Sequence, residues 1–162
     1  MRCTVREEAI DSGIVQRVLS GAAWRLYQGM PLGDRLHAQK VLMALREKGL
    51  GSRDLEQAAL LHDVGKSMAT LSLVHRVLIV LIEGLDKRLL ERLADSNPLS
   101  WRYPFYVHLR HAELGASLCL EAGCSPLTVA LVRHHDSRLV PPDSPAGLRI
   151  GLLELQEADD RC

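Results

Sequence analysis

Residues 52–66 read SRDLEQAALLHDVGK, the pattern of an amphipathic helix that ends in two ionisable side chains. Ser52 is a typical N-cap residue, and the helix that it begins is expected to end near Gly65. The apolar face of this helix is formed by Leu55, Ala58 and Ala59. His62 shares that face, because residues three, four and seven positions apart lie on one side of a helix. Asp63 follows at the helix end, so the segment brings an imidazole and a carboxylate to the edge of a core.

The rest of the chain is also helical in pattern, since leucine and alanine dominate and alternating β-branched stretches are absent. We predict an all-α fold, one compact bundle of about seven to nine helices. A single domain is expected to span residues 1–162, with residues 1–30 as an N-terminal helical extension and 31–162 as the core. The expected helices cover residues 5–20, a short piece reaching 28, 34–48, 52–65, 71–82, 85–94, 106–122, 126–135 and 145 onward, with N-caps at Asp34, Ser52 and Ser125 and a break at Gly84.

Composition narrows the classes of partner. Twenty basic and 20 acidic residues give a formal net charge of zero, and no basic stripe is present to hold a large nucleic acid. A small anionic ligand is compatible with this balance, because local charge decides its binding.

The longest apolar run, residues 77–82, is too short for a bilayer span and no signal peptide is recognisable, so we expect a cytoplasmic protein without a membrane partner. The four cysteines form no CxxC pair and are expected to be reduced thiols. The oligomeric state stays open.

Several ionisable side chains fall on or beside apolar helix faces. Each of five predicted helices turns such a group toward the core, and buried polar groups must be paired or bound to an ion. A lone histidine on an apolar face is most often a hydrogen-bonded core residue, but six such groups in five helices favour a shared cation. The predicted metal ligands are His37, His62, Asp63, His111, His134 and Asp159. Mixed imidazole and carboxylate donors suit Mn, Fe, Co, Ni or Zn, with Mg also possible.

Two of these predictions choose between neighbours in the sequence. His135 and Asp160 are rotated by roughly 100° from His134 and Asp159 on ideal helices. His134 follows Leu127, Ala130 and Leu131. Because His134 and Asp159 continue the apolar stripes better, they are the predicted ligands. His135 is expected to lie behind them or to contact substrate.

The order of these residues resembles the HD-domain superfamily of metal-dependent phosphohydrolases from about residue 31 to the end. Leu61–Lys66, LHDVGK, matches the HDxGK form of that superfamily, and His111–Ala116 and Leu153–Asp160 resemble its second-histidine and closing helices. The resemblance implies an HD-domain helical bundle in which His37, His62, Asp63 and Asp159 hold one ion. Some members bind a second ion through extra histidines, with the signature aspartate as a bridge. His111 and His134 match those positions, so one or two ions are expected.

The resemblance implies hydrolysis of a phosphoester or phosphoanhydride by metal-activated water. The expected substrate is a small phosphorylated molecule, with nucleotides considered first. Asp63 and Lys66 are the predicted catalytic residues. The predicted substrate-binding residues are Lys66, Arg102, His108, Arg110 and His135. For Lys66 and the arginines the alternative is an ordinary solvated side chain.

The aromatic residues at 101–106 can stack on a base or, more simply, close the end of the bundle. A non-catalytic module that binds metal and nucleotide as a sensor or partner-docking domain is the alternative function, and a di-iron oxygenase on the same fold is a third.

Overall fold

The computed structural model of the chain describes residues 11–137 and 144–162. These residues form nine α-helices, one short 3₁₀ helix and no strand, which confirms the predicted all-α bundle. The expected start of the first helix, at residues 5–10, lies outside the described residues. The helices are α1 (Ser12–Val18), α2 (Gly21–Gly29), α3 (Leu32–Glu47), α4 (Arg53–Leu61), the 3₁₀ helix (Val64–Met68), α5 (Leu73–Leu85), α6 (Lys87–Leu93), α7 (Tyr103–Glu121), α8 (Pro126–His134) and α9 (Ala146–Asp160).

Two of the predicted N-caps form the expected hydrogen bonds. Ser52 Oγ accepts from the backbone N–H of Leu55 at 3.3 Å and begins α4. Ser125 Oγ accepts from the N–H of Thr128 at 3.1 Å, and Pro126 occupies the first turn of α8. These caps fix where two of the site-bearing helices begin.

Two other boundaries differ from the prediction. Helix α3 begins after Pro31 rather than at Asp34, which instead lies in the first turn, where the helix dipole favours a carboxylate. Helix α5 continues through Gly84, and the break falls at Asp86. The Asp86 carboxylate accepts from the N–H of Arg88 at 2.9 Å and caps α6, an interaction that outweighs the weak helix propensity of one glycine.

Two apolar clusters hold the bundle together. The larger one takes residues from α1 to α4 and from α7 to α9, including the fully buried Leu42, Leu60 and Leu152. The smaller one joins α5, α6 and α7 around Phe105 and Leu90. Helix α7 packs against α8 and against the 3₁₀ helix, and α3 packs against α4 and α9, so these elements converge on the end of α4.

Helix α5 is apolar on its outer face as well as its inner face. Its exposed side chains include Leu73, Val74, Val77, Val80 and Leu81. No single helix in the described part of the chain has both the length and the hydropathy to cross a membrane, and only the bent pair of residues 53–68 and 73–82, angled at 106°, meets the criterion jointly.

Candidate metal centre

Five helices bring their ionisable side chains to one point inside the bundle. His37 comes from α3, His111 from the middle of α7 and Asp159 from the last turn of α9. His62 and Asp63 follow the last residue of α4, and His135 follows the last residue of α8. Two sets of three side chains have ligand atoms that all lie within 4.8 Å of one another: His37, His62 and Asp63, and Asp63, His111 and His135.

Asp63 belongs to both groups and is buried between them. One of its carboxylate oxygens, Oδ1, lies 3.6 Å from Nε2 of His111 and 3.6 Å from Nε2 of His135. The other oxygen, Oδ2, lies 3.6 Å from Nε2 of His62. The two oxygens therefore face different imidazoles, which is the arrangement required of a carboxylate shared by two cation sites.

The three buried histidines are oriented by the same local hydrogen bond. Nδ1 of His62 lies 3.0 Å from the carbonyl oxygen of Ala59, Nδ1 of His111 lies 2.8 Å from that of His108, and Nδ1 of His135 lies 2.7 Å from that of Val132. A carbonyl oxygen can only accept, so each Nδ1 carries the proton and donates it. The neutral form of each ring then holds its lone pair on Nε2, which points toward Asp63. This is the tautomer that a metal ligand needs.

At two places in the centre, the Nε2 lone pairs of these histidines face no hydrogen-bond donor from the described part of the chain. Nε2 of His62 is buried and has no hydrogen-bond partner within the described residues, and the nearest carboxylate oxygens are 3.5 and 3.6 Å away. Nε2 of His111 faces Nε2 of His135 at 3.3 Å. Lone pairs that face each other or face carboxylates in a buried site repel unless a proton or a metal ion lies between them. The donor set and its orientation therefore fit a divalent metal ion.

His37 and Asp159 form the outer side of the centre. Nε2 of His37 lies 2.7 Å from Oδ1 of Asp159, and the same oxygen lies 3.5 Å from Nε2 of His62. Both side chains are about one-third exposed. They therefore close the first group on the side that faces solvent.

The electrostatic balance follows from the mixture of buried acids and bases. Burial raises the pKa of Asp63, but the contact with His135 and the charges of His62 and Lys66 lower it by more, so it stays below its usual range. Burial lowers the pKa of His62, yet the carboxylates of Asp159 and Asp63 raise it above its usual value. Burial lowers the pKa of His111. The centre thus keeps its carboxylates ionised and attracts positive charge.

Lys66 lines a cavity that borders the metal centre. Its Nζ donates to Oδ2 of Asp63 at 2.7 Å, and its side chain is one-third exposed. The cavity has a volume of about 720 Å³. Its lining takes members of both groups together with nearby residues: His37, Asp63, Lys66, His108, Leu109, His111, His135, Asp136, Gln156, Asp159 and Asp160.

Gly65 explains how the Leu61–Lys66 segment approaches α7 so closely. A β-carbon at this position would collide with the carbonyl oxygen of His111 and would lie 2.7 Å from the backbone nitrogen of Gly115. Only glycine fits against the backbone of α7 here. The absence of a side chain at Gly65 thereby brings Asp63 within reach of His111.

The structure places His135 in the cluster, whereas the predicted ligand was His134. His135 is buried, whereas His134 is half-buried and belongs to neither group formed by the described residues. The buried stripe of α8 runs through Thr128, Leu131 and Val132, and His135 continues it. The packing of α8 on α7 selects this stripe over the alternative one, 100° away, that the apolar residues alone favoured.

The predicted arginines lie away from the centre. Arg102 donates through Nε to the carbonyl oxygen of Leu93 at 2.7 Å, and Arg110 is exposed and pairs with Glu113 at 3.4 Å. No arginine occurs among the described residues that line the cavity. Lys66, His108 and His135, in contrast, all line it.

Two residues near the centre were not predicted. The Gln156 side chain donates to the carbonyl oxygens of His135 at 3.0 Å and Ser137 at 2.8 Å, so it ties the end of α8 to α9. Its position three residues before Asp159, on the same helix face, is the sequence signal that could have identified it. Asp34 was expected only as a cap. Burial, and then the charge of Asp63, raise its pKa, which places Asp34 in the electrostatic field of the centre.

Comparison of the chain with protein-family models, with curated proteins and with solved structures gives no match. The histidine and aspartate cluster is compatible with an HD-type site but does not by itself identify one. The geometry thus establishes a site that can hold a metal ion, and the resemblance of the LHDVGK segment remains the argument for a particular chemistry.

Proposed function

We propose that this chain is a metal-dependent phosphohydrolase that cleaves a phosphoester or phosphoanhydride of a small molecule, with nucleotides as the first candidates. The observation that carries the proposal is the position of Asp63, shared by two imidazole groups beside a cavity that also contains Lys66. The cavity volume of about 720 Å³ falls within the range of small-molecule sites.

The residues divide the work according to their donors. His37, His62, Asp63 and Asp159 would hold one ion, and Asp63, His111 and His135 would hold a second. When bound, a divalent ion supplies Lewis-acid activation of water and of a phosphoryl group. The donor set admits Mn, Fe, Co, Ni or Zn, and Mg less readily because that ion prefers oxygen ligands.

Lys66 and His108 would meet the substrate. The Lys66 ammonium is anchored on Asp63 and partly exposed to the cavity, so it can donate to phosphoryl oxygens as negative charge develops there. His108 lies one turn before His111 and lines the same cavity, where it can donate a second hydrogen bond. Arg102 and Arg110 have no part in this proposal, because they lie outside the cavity lining.

The acidic character of the cavity makes metal dependence a strict requirement. The described residues that line it include four aspartates, at 63, 136, 159 and 160, and one lysine, Lys66. An anionic phosphate would be repelled by these carboxylates unless divalent charge offset them. Phosphate binding and metal binding should therefore rise together.

The test is a phosphatase screen of purified protein with nucleotides and p-nitrophenyl phosphate in the presence of Mn²⁺, Ni²⁺ or Co²⁺. We expect phosphate release that Asp63→Ala abolishes and that Lys66→Met lowers by about 10²-fold or more. Arg110→Ala is the matched control and should retain full activity, because Arg110 pairs with Glu113 on the surface. Metal binding without turnover of any phosphoester would reject the hydrolase and favour the non-catalytic metal- and nucleotide-binding module.

A further inference from the structure

The C-terminal end of α7 contains two cysteines that the metal centre does not use. Gly123 adopts a positive φ of 76°, the N–H of Cys124 donates to the carbonyl oxygen of Cys119 at 3.0 Å, and the N–H of Gly123 donates to that of Leu120 at 3.0 Å. These two bonds define a Schellman motif. In this motif the side chains at the positions of Cys119 and Cys124 meet, which is ordinarily an apolar contact. Here the contact joins two thiols.

The two thiols lie in unequal environments. Cys119 is fully buried in the main core, whereas Cys124 is half-buried and borders a cavity of about 300 Å³ that is lined by polar groups, including those of Ser20, Arg53 and Gln57. A small polar oxidant in that cavity would meet Cys124 first. Cys119 would remain protected behind it.

Their hydrogen bond gives the two thiols different acidities. The bond from Cys119 lowers the pKa of Cys124 to about 7. The same bond, followed by burial, raises the pKa of Cys119. Because the thiolate is the reactive form, Cys124 is the nucleophile of the pair near neutral pH.

We propose that Cys119 and Cys124 form a redox-active dithiol that hydrogen peroxide converts to a disulfide at the end of α7. The Cys124 thiolate attacks one peroxide oxygen, breaks the O–O bond and becomes a sulfenic acid, and hydroxide leaves. The Cys119 sulfur then attacks the Cys124 sulfur, with loss of the Cys119 proton and the sulfenic oxygen as water. Two thiols are oxidised and one peroxide is reduced to two waters. The second step joins two side chains that are already neighbours in the Schellman motif.

The other described thiol provides a contrast. Cys162 is exposed at the end of the chain, and partial burial of its sulfur together with the charge of Asp159 raises its pKa. An exposed but protonated thiol is a poorer nucleophile than a thiolate. Oxidation at low peroxide should therefore select Cys124 over Cys162.

The experiment is peptide mapping of the full-length protein after treatment with substoichiometric to equimolar hydrogen peroxide. Trypsin releases residues 111–133 as one peptide that contains both cysteines and no internal lysine or arginine. We expect this peptide to lose two hydrogens, to resist alkylation by iodoacetamide, and to recover two alkylation sites after dithiothreitol. Of the four thiols titrated in denaturant before oxidation, two should remain afterwards.

Matched variants separate geometry from simple thiol reactivity. Cys162→Ser should leave the disulfide unchanged, whereas Cys124→Ser, a change at a half-buried position, should abolish it and leave Cys119 open to alkylation once the protein is unfolded. The rate in the native protein should exceed that in urea by at least about tenfold. Addition of oxygen to Cys124 without disulfide formation, or equal rates in native and unfolded protein, would overturn the proposal.

Discussion

The imidazoles of His111 and His135 meet through their Nε2 atoms, 3.3 Å apart, while each Nδ1 donates to the carbonyl oxygen three residues before it. The two lone pairs thus point toward each other, and Oδ1 of Asp63 lies 3.6 Å from each Nε2 atom. The backbone of α7 and of α8 fixes both rings in this orientation. A bound cation would offset the repulsion, and this relationship makes the second group of the centre testable by itself.

Replacement of His135 by alanine should lower the metal content of the protein by one ion per chain, because it removes a member of the second group and leaves His37, His62 and Asp63 intact. His134→Ala is the control, since its half-buried ring lies outside both groups. Elemental analysis of dialysed protein measures the difference. Equal loss in the two variants would contradict the placement of His135.

Gly65→Ala should destabilise the fold by about 3 kcal/mol, because the new methyl group collides with the backbone of α7. The melting temperature should fall by on the order of 10 °C. We expect the opposite effect for Gly84→Ala, because a β-carbon added at this exposed helical position would meet no atom within 4 Å. Alanine there should raise the free energy of unfolding by roughly 0.5–1 kcal/mol. Calorimetry of both variants measures these changes. A Gly65→Ala variant with an unchanged melting temperature would show that residue 65 does not lie this close to the backbone of α7.

Gln156→Ala should weaken metal binding by about tenfold, because it frees the carbonyl oxygens of His135 and Ser137 and loosens the end of α8. Gln39→Ala removes a side chain whose hydrogen bonds, to Asp11, lie on the surface. That control should bind metal as the wild type does. Isothermal titration with Zn²⁺ compares the two, and an unchanged affinity for Gln156→Ala would mean that the amide does not position His135.

Because of Tyr27, the stability of the folded protein should fall as the pH rises through the alkaline range. Its ring is fully buried, its hydroxyl donates to the carbonyl oxygen of Arg35 at 3.0 Å, and burial raises its pKa to about 12. An unfolded tyrosine has a pKa of about 10. A raised pKa in the folded state gives stability that is complete below pH 10 and is lost as the pH rises from about 10 to 12.

Urea unfolding between pH 9 and 11 measures this loss. Tyr27→Phe should show a smaller decline than the wild type, since it has no hydroxyl to ionise. Tyr106→Phe, at a half-buried position, should decline as the wild type does. Parallel curves for the wild type and Tyr27→Phe would exclude Tyr27 as the source.

Local signals predicted much of the fold, and long-range packing decided the remainder. The caps at Ser52 and Ser125 act on the next three residues, so sequence was sufficient for them. The sequence predicts a helix break at Gly84, whereas the structure has it at Asp86, because the carboxylate cap of α6 outweighs the weak helix propensity of one glycine two positions earlier. The helix bundle as a whole follows from periodicity, which every segment shares.

The candidate site divides in the same way. His37, His62, Asp63 and His111 could be recognised because each continues an apolar stripe of its own helix. His134 and His135 could not be separated, because the rotation of α8 about its axis depends on its contacts with α7 and α9. Arg102 was expected in the cavity, but its guanidinium is held by the carbonyl oxygen of Leu93, a contact that no local pattern reveals.

Binding of a divalent ion by the purified protein is the most direct test of the centre. Titration of metal-free protein with Zn²⁺ or Mn²⁺ should give at most two ions per chain, and Asp63→Ala should lose both, because Asp63 belongs to each group. Asp136→Ala, which removes an exposed carboxylate from the same cavity, should leave the stoichiometry unchanged. Absence of ion binding at millimolar metal, or an Asp63→Ala variant that binds as many ions as the wild type, would contradict the account.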